Sequence, residues 1–426
     1  MHQTDLWTLG DWLAWQSSLT PHRMEFGLER IAVVWSRLGP PTLGAPVIAV
    51  GGTNGKGSTV AYLEAIARAA GYHTGCYTSP HLLSYHERVR IDGTPATDRA
   101  LCAAFSRVEQ ARGDTPLTVF EFGTLAALVL FVDAGPDLVI LEVGLGGRLD
   151  AVNLIDADCA VVASIGHDHM ALLGESLEAV AREKAGIFRA DRPAIIGQRD
   201  APAALRVAAQ ALGARVLQVG QELGCAAAPD GAGWIWSGAD GERLALPIPA
   251  MRGSFQQHNA AAAIAALRAL RGRLPVPVTA IRAGLARARL PGRFQVFPGA
   301  VTWILDVAHN REAAQVLAEN LREFRCPGRV RAVFGVLADK EPEAVAAPLR
   351  SLVDTWYLTA SADDRAMSAQ CLGERLHGVL AGVHQELHQT FKAALDAALT
   401  ASVAGDCLLV FGSFTTVGEA LKCRGE

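Results

Sequence analysis

Apolar positions recur along the first half of the chain with two alternating periods. A spacing of three and four residues from Val60 to Ala70 predicts a helix over 58–70. Unbroken apolar runs of strand length occur at 138–143, 159–165 and 194–197, and stretches with helical spacing lie at 120–132, 176–185 and 202–212. Strands that alternate with helices in this way predict a largely parallel sheet covered by helices.

The pattern changes after residue 214 and later resumes. Residues 215–250 predict short antiparallel strands, 257–270 predicts an alanine-rich helix, and LPGRF at 290–294 has the composition of a linker. Beyond the linker, strand-like runs return at 301–308, 330–337, 355–360 and 407–413, with helical stretches up to about 324 and at 341–353, 367–380 and 389–402. This alternation of predicted strands and helices again indicates an α/β domain.

These patterns predict an α/β fold in two domains, because 426 residues exceed one ordinary core. The first domain, 1–289, contains a mostly parallel sheet. A linker at 290–296 leads to a smaller, Rossmann-like α/β domain at 297–426.

The stretch VIAVGGTNGKGS, residues 47–58, has the layout of a phosphate-binding loop. Its glycines let backbone N–H groups converge on phosphate oxygens, the following helix presents its positive end, and Lys56 adds a mobile cation. The stretch departs from the pattern G-x-x-x-x-G-K-[ST], since Val50 stands at the first glycine and Gly57 precedes Ser58. A glycine-rich turn without ligand is the alternative, but the context favours a P-loop-type nucleotide domain.

Two further predicted strands end in chemically active side chains. Glu142 ends LVILEV and would emerge at the ligand-binding edge of the sheet, where a carboxylate can hold the magnesium ion of a nucleotide. A surface acid closing a strand is the alternative. His167, Asp168 and His169 follow the next strand and could complete the metal site. A zinc site is the alternative, but magnesium with a nucleotide is favoured because no further Cys or His lies at a spacing suitable for zinc.

Three other segments give weaker signals on their own. Ser79 follows the strand-like HTGCYTS and is typical of a turn, and Lys184 in REKAGIF is typical of a solvated helix face. DVAHN, 306–310, follows an apolar strand and precedes a helix, so Asp306 and His309 could face nucleotide or substrate across a cleft between domains. A polar turn with a helix cap is the alternative there.

Composition narrows the class of protein. Half of the residues are hydrophobic, which predicts a globular protein, and the net charge of −4 with no basic tract argues against nucleic acid or anionic lipid as partner. The longest apolar runs are too short to span a bilayer. Eight cysteines without any C-x-x-C pair favour reduced, mostly buried thiols. These features predict a cytoplasmic protein.

Taken together and in this order, the motifs resemble the folylpolyglutamate synthase/dihydrofolate synthase family of the Mur-ligase-like group. The resemblance covers nearly the whole chain, and the GKG[ST] form of the loop is the one expected there. The matching segments are FGLERI (26–31), GTNGKGS (52–58), YTSPHL (77–82), ERVRIDG (87–93), FEFGTLAAL (120–128), EVGLGGRLDAVN (142–153), DH (168–169), REKAGIF (182–188), LPGRF (290–294), DVAHN (306–310) and FGSF (411–414).

The resemblance implies a site for ATP and two Mg²⁺ ions. Ser79 and Glu142 would hold one magnesium ion, and Glu142 with His169 the second. Lys184 would be carbamylated and would help to order the second metal site. The residues implied in nucleotide binding are Thr53, Asn54, Gly55, Lys56, Gly57, Ser58, Asn259, Arg293 and Asp306.

The resemblance also implies where the other substrates bind. Thr118, Val119, Phe120 and Glu121, with Leu149, would line the pterin pocket, and His309 would lie close to the reacting groups. Two positions depart from the family pattern. Phe255 stands where many relatives have His, and His167 adds an imidazole where an apolar residue is common.

The implied reaction is ATP-dependent ligation of L-glutamate to dihydropteroate and to reduced folates through an acyl phosphate. Lys56, His169, Lys184, Asp306 and His309 are the predicted catalytic residues of a monomeric enzyme. A synthase with one of the two activities, a Mur-type cell-wall ligase, and an ATPase switch that forms no bond are the alternatives. A switch would need the loop and a carboxylate but would leave the second α/β domain and DVAHN unexplained.

Overall fold

The computed structural model describes residues 7–19, 27–39, 43–229 and 231–425. The chain divides into two compact units. The first consists of Met1–His81, Tyr85–Ala250 and Gln257–Ala288, and the second of Leu82–Ser84, Met251–Gln256 and Arg289–Glu426. Phe26, the first residue of the FGLERI motif, lies outside the described residues.

The first unit is built on an eight-stranded sheet of order β4-β3-β2-β5-β1-β6-β7-β8. Six neighbouring strands from β2 to β8 pair in parallel, whereas β3 and β4 are antiparallel additions at one edge. The strands are β1 (Val47–Gly51), β2 (Thr74–Tyr77), β3 (Val89–Ile91), β4 (Thr94–Pro95), β5 (Leu138–Glu142), β6 (Cys159–Val162), β7 (Pro193–Ile196) and β8 (Arg215–Gln218).

Helices of the first unit pack apolar residues on this sheet or on one another. Both β1 and β5 are buried at every position, as expected for central parallel strands covered on both faces. The helices are α1 (Leu9–Leu19), α2 (Glu29–Leu38), α3 (Lys56–Ala69), α4 (Asp98–Arg112), α5 (Val119–Ala134), α6 (Met170–Leu173), α7 (Leu177–Ala185), α8 (Ala203–Ala211), α9 (Phe255–Ala269) and α10 (Val278–Arg287).

A small antiparallel sheet follows β8 in the first unit. Its strands are β9 (Gly224–Ala227), β10 (Gly233–Ser237) and β11 (Arg243–Pro247), with β10 in the centre. Alternate residues of β10 are buried, so the Trp234 and Trp236 side chains point to one face. Their indole N–H groups donate to the carbonyls of Pro247 and Ala261, which satisfies both polar atoms inside the core.

The second unit contains a six-stranded sheet of order β12-β13-β17-β14-β15-β16, parallel except for β12. Apolar side chains from both faces form two core clusters. The elements are β12 (Gln295–Phe297), β13 (Thr302–Asp306), α11 (Arg311–Phe324), β14 (Val330–Phe334), α12 (Pro342–Ala346), β15 (Thr355–Thr359), α13 (Ala369–Leu376), β16 (His384–His388), α14 (Phe391–Thr400), β17 (Cys407–Phe411) and α15 (Phe414–Arg424).

The predicted α/β fold class is confirmed, but some boundaries are wrong and several elements were not predicted, namely α1, α2, α4, α6, α10, α15, β3, β4 and β16. Strand β6 ends at Val162 rather than at 165, because the apolar residues that follow it continue into a loop. Strand β8 joins the parallel sheet, whereas 215–250 as a whole was predicted to be antiparallel. The end of the predicted linker 290–296 belongs to β12, which pairs with β13.

The prediction of reduced thiols is wrong for two of the eight cysteines. The structure joins Cys326 to Cys407 in a disulfide within the second unit, while the other six cysteines are free. The two residues lie 81 positions apart and meet because β17 inserts between β13 and β14, so their spacing gave no local signal. No helix in the described part of the chain is long and apolar enough to cross a membrane.

Candidate active site

The glycine-rich loop joins β1 to α3 at the carboxyl edge of the first sheet. Gly52 has φ +137° and Gly55 has φ +84°, a range that favours glycine. A Cβ atom on Gly52 would lie 3.0 Å from the backbone nitrogen of Ser164. Helix α3 then begins at Lys56, so its first N–H groups face the loop. A helix start of this geometry can bind an anion, which is the role that the sequence predicts for it.

The segment after β6 holds this loop in place. The backbone N–H groups of Thr53 and Asn54 donate to the carbonyl (2.7 Å) and hydroxyl (3.0 Å) of Ser164. The Ser164 hydroxyl donates in turn to the carbonyl of Asn54 at 2.9 Å, and the N–H of Gly166 donates to the Thr53 hydroxyl at 3.0 Å. Ser164 is therefore a supporting residue that the sequence did not reveal, since a serine in an apolar run carries no motif.

Two lysines converge on one carbonyl of the loop. The ammonium of Lys56 donates to the carbonyls of Gly52 (3.0 Å) and Thr53 (3.1 Å), and the Lys184 amine donates to Gly52 at 3.1 Å. Lys184 is buried, which contradicts the alternative of a solvated helix lysine. Burial, with the nearby charge of Lys56, lowers the pKa of Lys184 to about 7. Much of its amine is therefore neutral near neutral pH.

Two carboxylates lie beside Lys184, and of these Asp168 was a candidate from the sequence whereas Asp150 was not. Asp150 and Asp168 both oppose the fall in the pKa of Lys184 electrostatically. Asp150 is buried and accepts the N–H groups of Leu145 (2.8 Å) and Val152 (2.9 Å), and desolvation raises its pKa to about 6. An acid within GLGGRLDAVN was the available signal, but only its place in the tertiary structure marks it.

The predicted metal residues lie after the carboxyl ends of β2, β5 and β6, of which β2 and β5 are neighbours and β6 is separated from β5 by β1. Glu142 ends β5 and is buried, and its carboxylate accepts the N–H of Ser79, which follows β2, at 3.3 Å. His169, after β6, has φ +50° and its imidazole Nε2 is 3.7 Å from the Asp168 carboxylate. Within the described ranges, no three His, Cys, Asp or Glu side chains are grouped to hold a metal ion.

The donor types at this edge fit a divalent ion bound together with phosphates. A buried carboxylate and a hydroxyl are hard oxygen ligands, the kind that Mg²⁺ prefers, and Mg²⁺ is commonly held by one or two such groups together with substrate phosphates. The imidazole of His169 would add one nitrogen ligand to these oxygen ligands. Ser79, Glu142 and His169 could thus hold an ion only in part, with water and nucleotide completing its shell.

The predicted pterin-binding residues start helix α5. Thr118 is its N-cap, and Glu121 completes a capping box by accepting the Thr118 N–H at 2.8 Å. The buried Glu121 carboxylate also pairs with Arg30 at 2.8 Å, so its oxygens are occupied by protein donors. Val119 is exposed, and the Phe120 ring lies 5.9 Å from that of Tyr77. Leu149, half-buried, precedes Asp150.

One residue that was predicted to bind the nucleotide comes from a distant segment and lies next to the glycine-rich loop. Asn259 on α9 is buried, and its side-chain oxygen lies 2.5 Å from where a Cβ on Gly55 would stand. Any larger residue at position 55 would collide with it. The structure thus brings Asn259 to the same loop as Lys56, which the sequence did not show. Phe255, the residue that departs from the family pattern, begins α9.

The remaining residues that were predicted to bind nucleotide or to act in catalysis, Arg293, Asp306 and His309, lie in the second unit. Asp306 ends β13 and accepts the N–H groups of Phe294 and Ala308, both at 2.8 Å. Burial raises the pKa of Asp306, although these N–H groups and the charge of Arg293 favour its ionised form. The Arg293 guanidinium lies 5.3 Å from the Phe414 ring, and the His309 ring 6.1 Å from the same ring.

Comparison with known proteins gives consistent matches over the whole chain. Residues 50–267 match the model of the Mur ligase middle domain, and 292–414 match that of the Mur ligase glutamate ligase domain. The dihydrofolate synthase/folylpolyglutamate synthase of Escherichia coli strain K12 is 44% identical over 414 residues, which cover 97% of this chain and 95% of that protein.

Two solved structures show the same fold at full length. The structure of E. coli FolC in complex with DHPP and ADP superposes with a TM-score of 0.92 at 43% identity, covering 99% of this chain and 98% of that one. A bifunctional folylpolyglutamate synthase/dihydrofolate synthase with Mn, AMPPNP and L-glutamate bound gives a TM-score of 0.89 at 40% identity, covering 99% of both chains.

Proposed function

The chain belongs to the dihydrofolate synthase/folylpolyglutamate synthase family of Mur ligases, and on this premise we propose that it joins L-glutamate to dihydropteroate and to reduced folates at the expense of ATP. The observation that supports a bond-forming reaction is the meeting of Lys56 and a buried Lys184 at Gly52, on the sheet edge where Glu142 ends its strand. An ATPase switch needs no second buried lysine there.

The reaction needs ATP because a carboxylate is a poor electrophile. A carboxylate oxygen of the pteroate or folate substrate attacks the γ-phosphorus, the bond to the bridging oxygen breaks, and ADP leaves. The glutamate amine then attacks the carbonyl carbon of the acyl phosphate, loses a proton, and phosphate departs with its electron pair. We assign to Lys56 and the loop N–H groups the neutralisation of charge on the transferred phosphoryl group.

A divalent ion bound with the nucleotide supplies further neutralisation of phosphate charge. We propose two such ions, one held by Ser79 and Glu142 and the second by Glu142 and His169, with Thr53 to Ser58 and Asn259 around the nucleotide. We assign Arg293 and Asp306 to nucleotide binding and His309 to the reacting groups, because they lie together in the second unit's LPGRF and DVAHN motifs. Thr118 to Glu121 and Leu149 are proposed to line the pterin site.

Carbamylation of Lys184 is part of this proposal. A cationic lysine would be repelled by bound divalent ions, whereas a carbamate would be attracted to them. A neutral amine is needed to attack carbon dioxide, and the lowered pKa of Lys184 supplies it. We also propose that the enzyme is a cytoplasmic monomer without nucleic-acid or membrane partners, as its net charge of −4 suggests.

The test of the function is a pair of assays on the purified protein. With dihydropteroate, L-glutamate and Mg-ATP we expect equal amounts of dihydrofolate and ADP, and with tetrahydrofolate monoglutamate we expect glutamate incorporation. Omission of either co-substrate should stop ADP release. ADP formed without both co-substrates would support the switch, and product from only one pterin substrate would reduce the assignment to a single synthase.

A further inference from the structure

Arg88 carries a positive charge that the mechanism above does not use. Its guanidinium is partly buried, donates to the His81 imidazole at 2.9 Å, and lies 5.4 Å from the centre of the Tyr85 ring. Neither partner is an anion. In the part of the chain that the structure describes, no Asp or Glu carboxylate forms an ion pair with Arg88. A fixed guanidinium of this kind is suited to bind a carboxylate in bidentate geometry.

Arg88 lies beside Tyr77, whose ring packs next to Phe120 of the proposed pterin site. Its charge opposes the rise in the pKa of Tyr77 that burial causes, which indicates that the two side chains are close. The Tyr77 ring lies next to Phe120, and the hydroxyls of Tyr77 and Tyr85 both reach Gly123 on α5, at 3.2 and 2.6 Å from a Cβ built there.

A second polar group in this cluster is only weakly satisfied. The buried Tyr77 hydroxyl has no hydrogen-bond partner in good geometry among the residues 7–19, 27–39, 43–229 and 231–425, although Thr124 and Arg88 lie close enough to oppose the rise in its pKa. A buried donor without a partner costs about 1–3 kcal/mol, so its retention is explained where a ligand group approaches it. Arg88 and Tyr77 together therefore favour an anionic oxygen ligand next to the Phe120 ring.

We propose that Arg88 binds the α-carboxylate of the glutamate already carried by a folate substrate. The inference rests on the proposed function and deepens it. Dihydropteroate has one carboxylate, which is the one activated. Folate monoglutamate has two, of which the γ-carboxylate is activated and the α-carboxylate needs a cation of its own. Arg88 would thus serve chain extension more than dihydrofolate synthesis, and so would set substrate preference.

The experiment compares Arg88→Gln with the unchanged protein on both pterin substrates. We expect the KM for tetrahydrofolate monoglutamate to rise about tenfold or more, as for loss of a charged hydrogen bond, and the KM for dihydropteroate to rise by a much smaller factor. Arg88→Lys should recover only part of the affinity, since an ammonium cannot bind bidentately. Arg99→Gln, at an exposed position on α4, is the matched control for loss of charge and should leave both KM values unchanged.

Several results would overturn the assignment. Equal loss on both substrates together with a lowered Tm would make Arg88 a structural residue, and a rise in the KM for L-glutamate instead would assign it to the incoming amino acid. Unchanged kinetics in Arg88→Gln would remove it from binding. Absence of any addition to tetrahydrofolate by the unchanged protein would overturn the dual function itself, which distinguishes the two failures.

Discussion

Lys184 shows how one residue changes its chemistry with its surroundings. In the sequence it is a lysine on an amphipathic helix, but in the fold its amine is buried and donates to the Gly52 carbonyl, close to Lys56, Asp150 and Asp168. Desolvation disfavours its charged form, so its pKa falls to about 7. Above that pH the amine is mostly neutral and can act as a nucleophile.

We expect carbamylation of Lys184 to increase with pH. Attack of the neutral amine on carbon dioxide forms the N–C bond, a C=O electron pair moves to oxygen, and the nitrogen loses a proton. Because the pKa is lowered to about 7, occupancy should rise between about pH 6 and pH 8 at constant carbon dioxide pressure. Carbon-13 NMR of protein equilibrated with labelled carbon dioxide would measure the carbamate signal.

Substitution of Lys184 tests whether the modified residue matters for catalysis. Lys184→Ala and Lys184→Arg should both lower kcat by ~10²–10³-fold, since neither can carry a carbamate and loss of a positioned stabiliser costs about that much. Lys392→Ala, at an exposed lysine on α14, is the control. A Lys184→Arg enzyme with normal turnover would show that a cation suffices and that carbamylation is unnecessary.

At the scale of elements, the helix that starts at the phosphate loop is positioned by very close packing. Helix α10 contacts α3 through Gly284, where a Cβ atom would lie 2.5 Å from Cγ1 and 2.6 Å from Cα of Ile66. The nearest atoms include backbone, which cannot move aside as a flexible side chain can. Gly284 therefore sets the distance between the two helices and supports the position of Lys56.

Gly284→Ala is expected to destabilise the first unit by about 1–3 kcal/mol through overpacking. Gly272→Ala, at a glycine where an added Cβ would have no atom within 4 Å and where φ is not positive, should leave the stability unchanged or slightly raised. Urea unfolding followed by circular dichroism measures both variants. Equal midpoints would show that α10 shifts freely on α3.

At the scale of the whole molecule, the residues predicted for binding and catalysis are divided between the two units. The first contains the loop, both lysines and Glu142, and the second contains Arg293, Asp306 and His309. Asp306 also accepts two backbone N–H groups, so it contributes to local structure as well. The assignment of the second unit to catalysis is therefore best tested at His309, whose Nδ1 contacts the Val307 carbonyl at 2.8 Å.

We expect His309→Ala to lower kcat by ~10²-fold or more while Tm changes little, because the ring lies near the reacting groups in the proposed mechanism. Asp306→Ala should lower both kcat and Tm, since it leaves two buried N–H groups without acceptors. His384→Ala, at an exposed histidine on β16, controls for imidazole loss in the same unit. Normal turnover in His309→Ala would remove this residue from the mechanism.

The sequence by itself determined the fold class and the positions of the chemical motifs, since both depend on local order. Apolar patterns predicted β5, β6, α3 and α5, although they missed α4, and parallel strands necessarily present their carboxyl ends on one edge. The phosphate loop and Glu142 followed from that rule. Element ends were less accurate, because an apolar residue in a loop resembles one in a strand.

Only the tertiary structure decided which distant residues meet and what charge they carry. Asn259 reaches Gly55, and Lys184 becomes buried beside Asp150, through packing between segments far apart in the chain. The Cys326–Cys407 disulfide depends in the same way on the insertion of β17 between β13 and β14. Burial and neighbouring charges set a pKa, and both are properties of the folded chain that no local pattern contains.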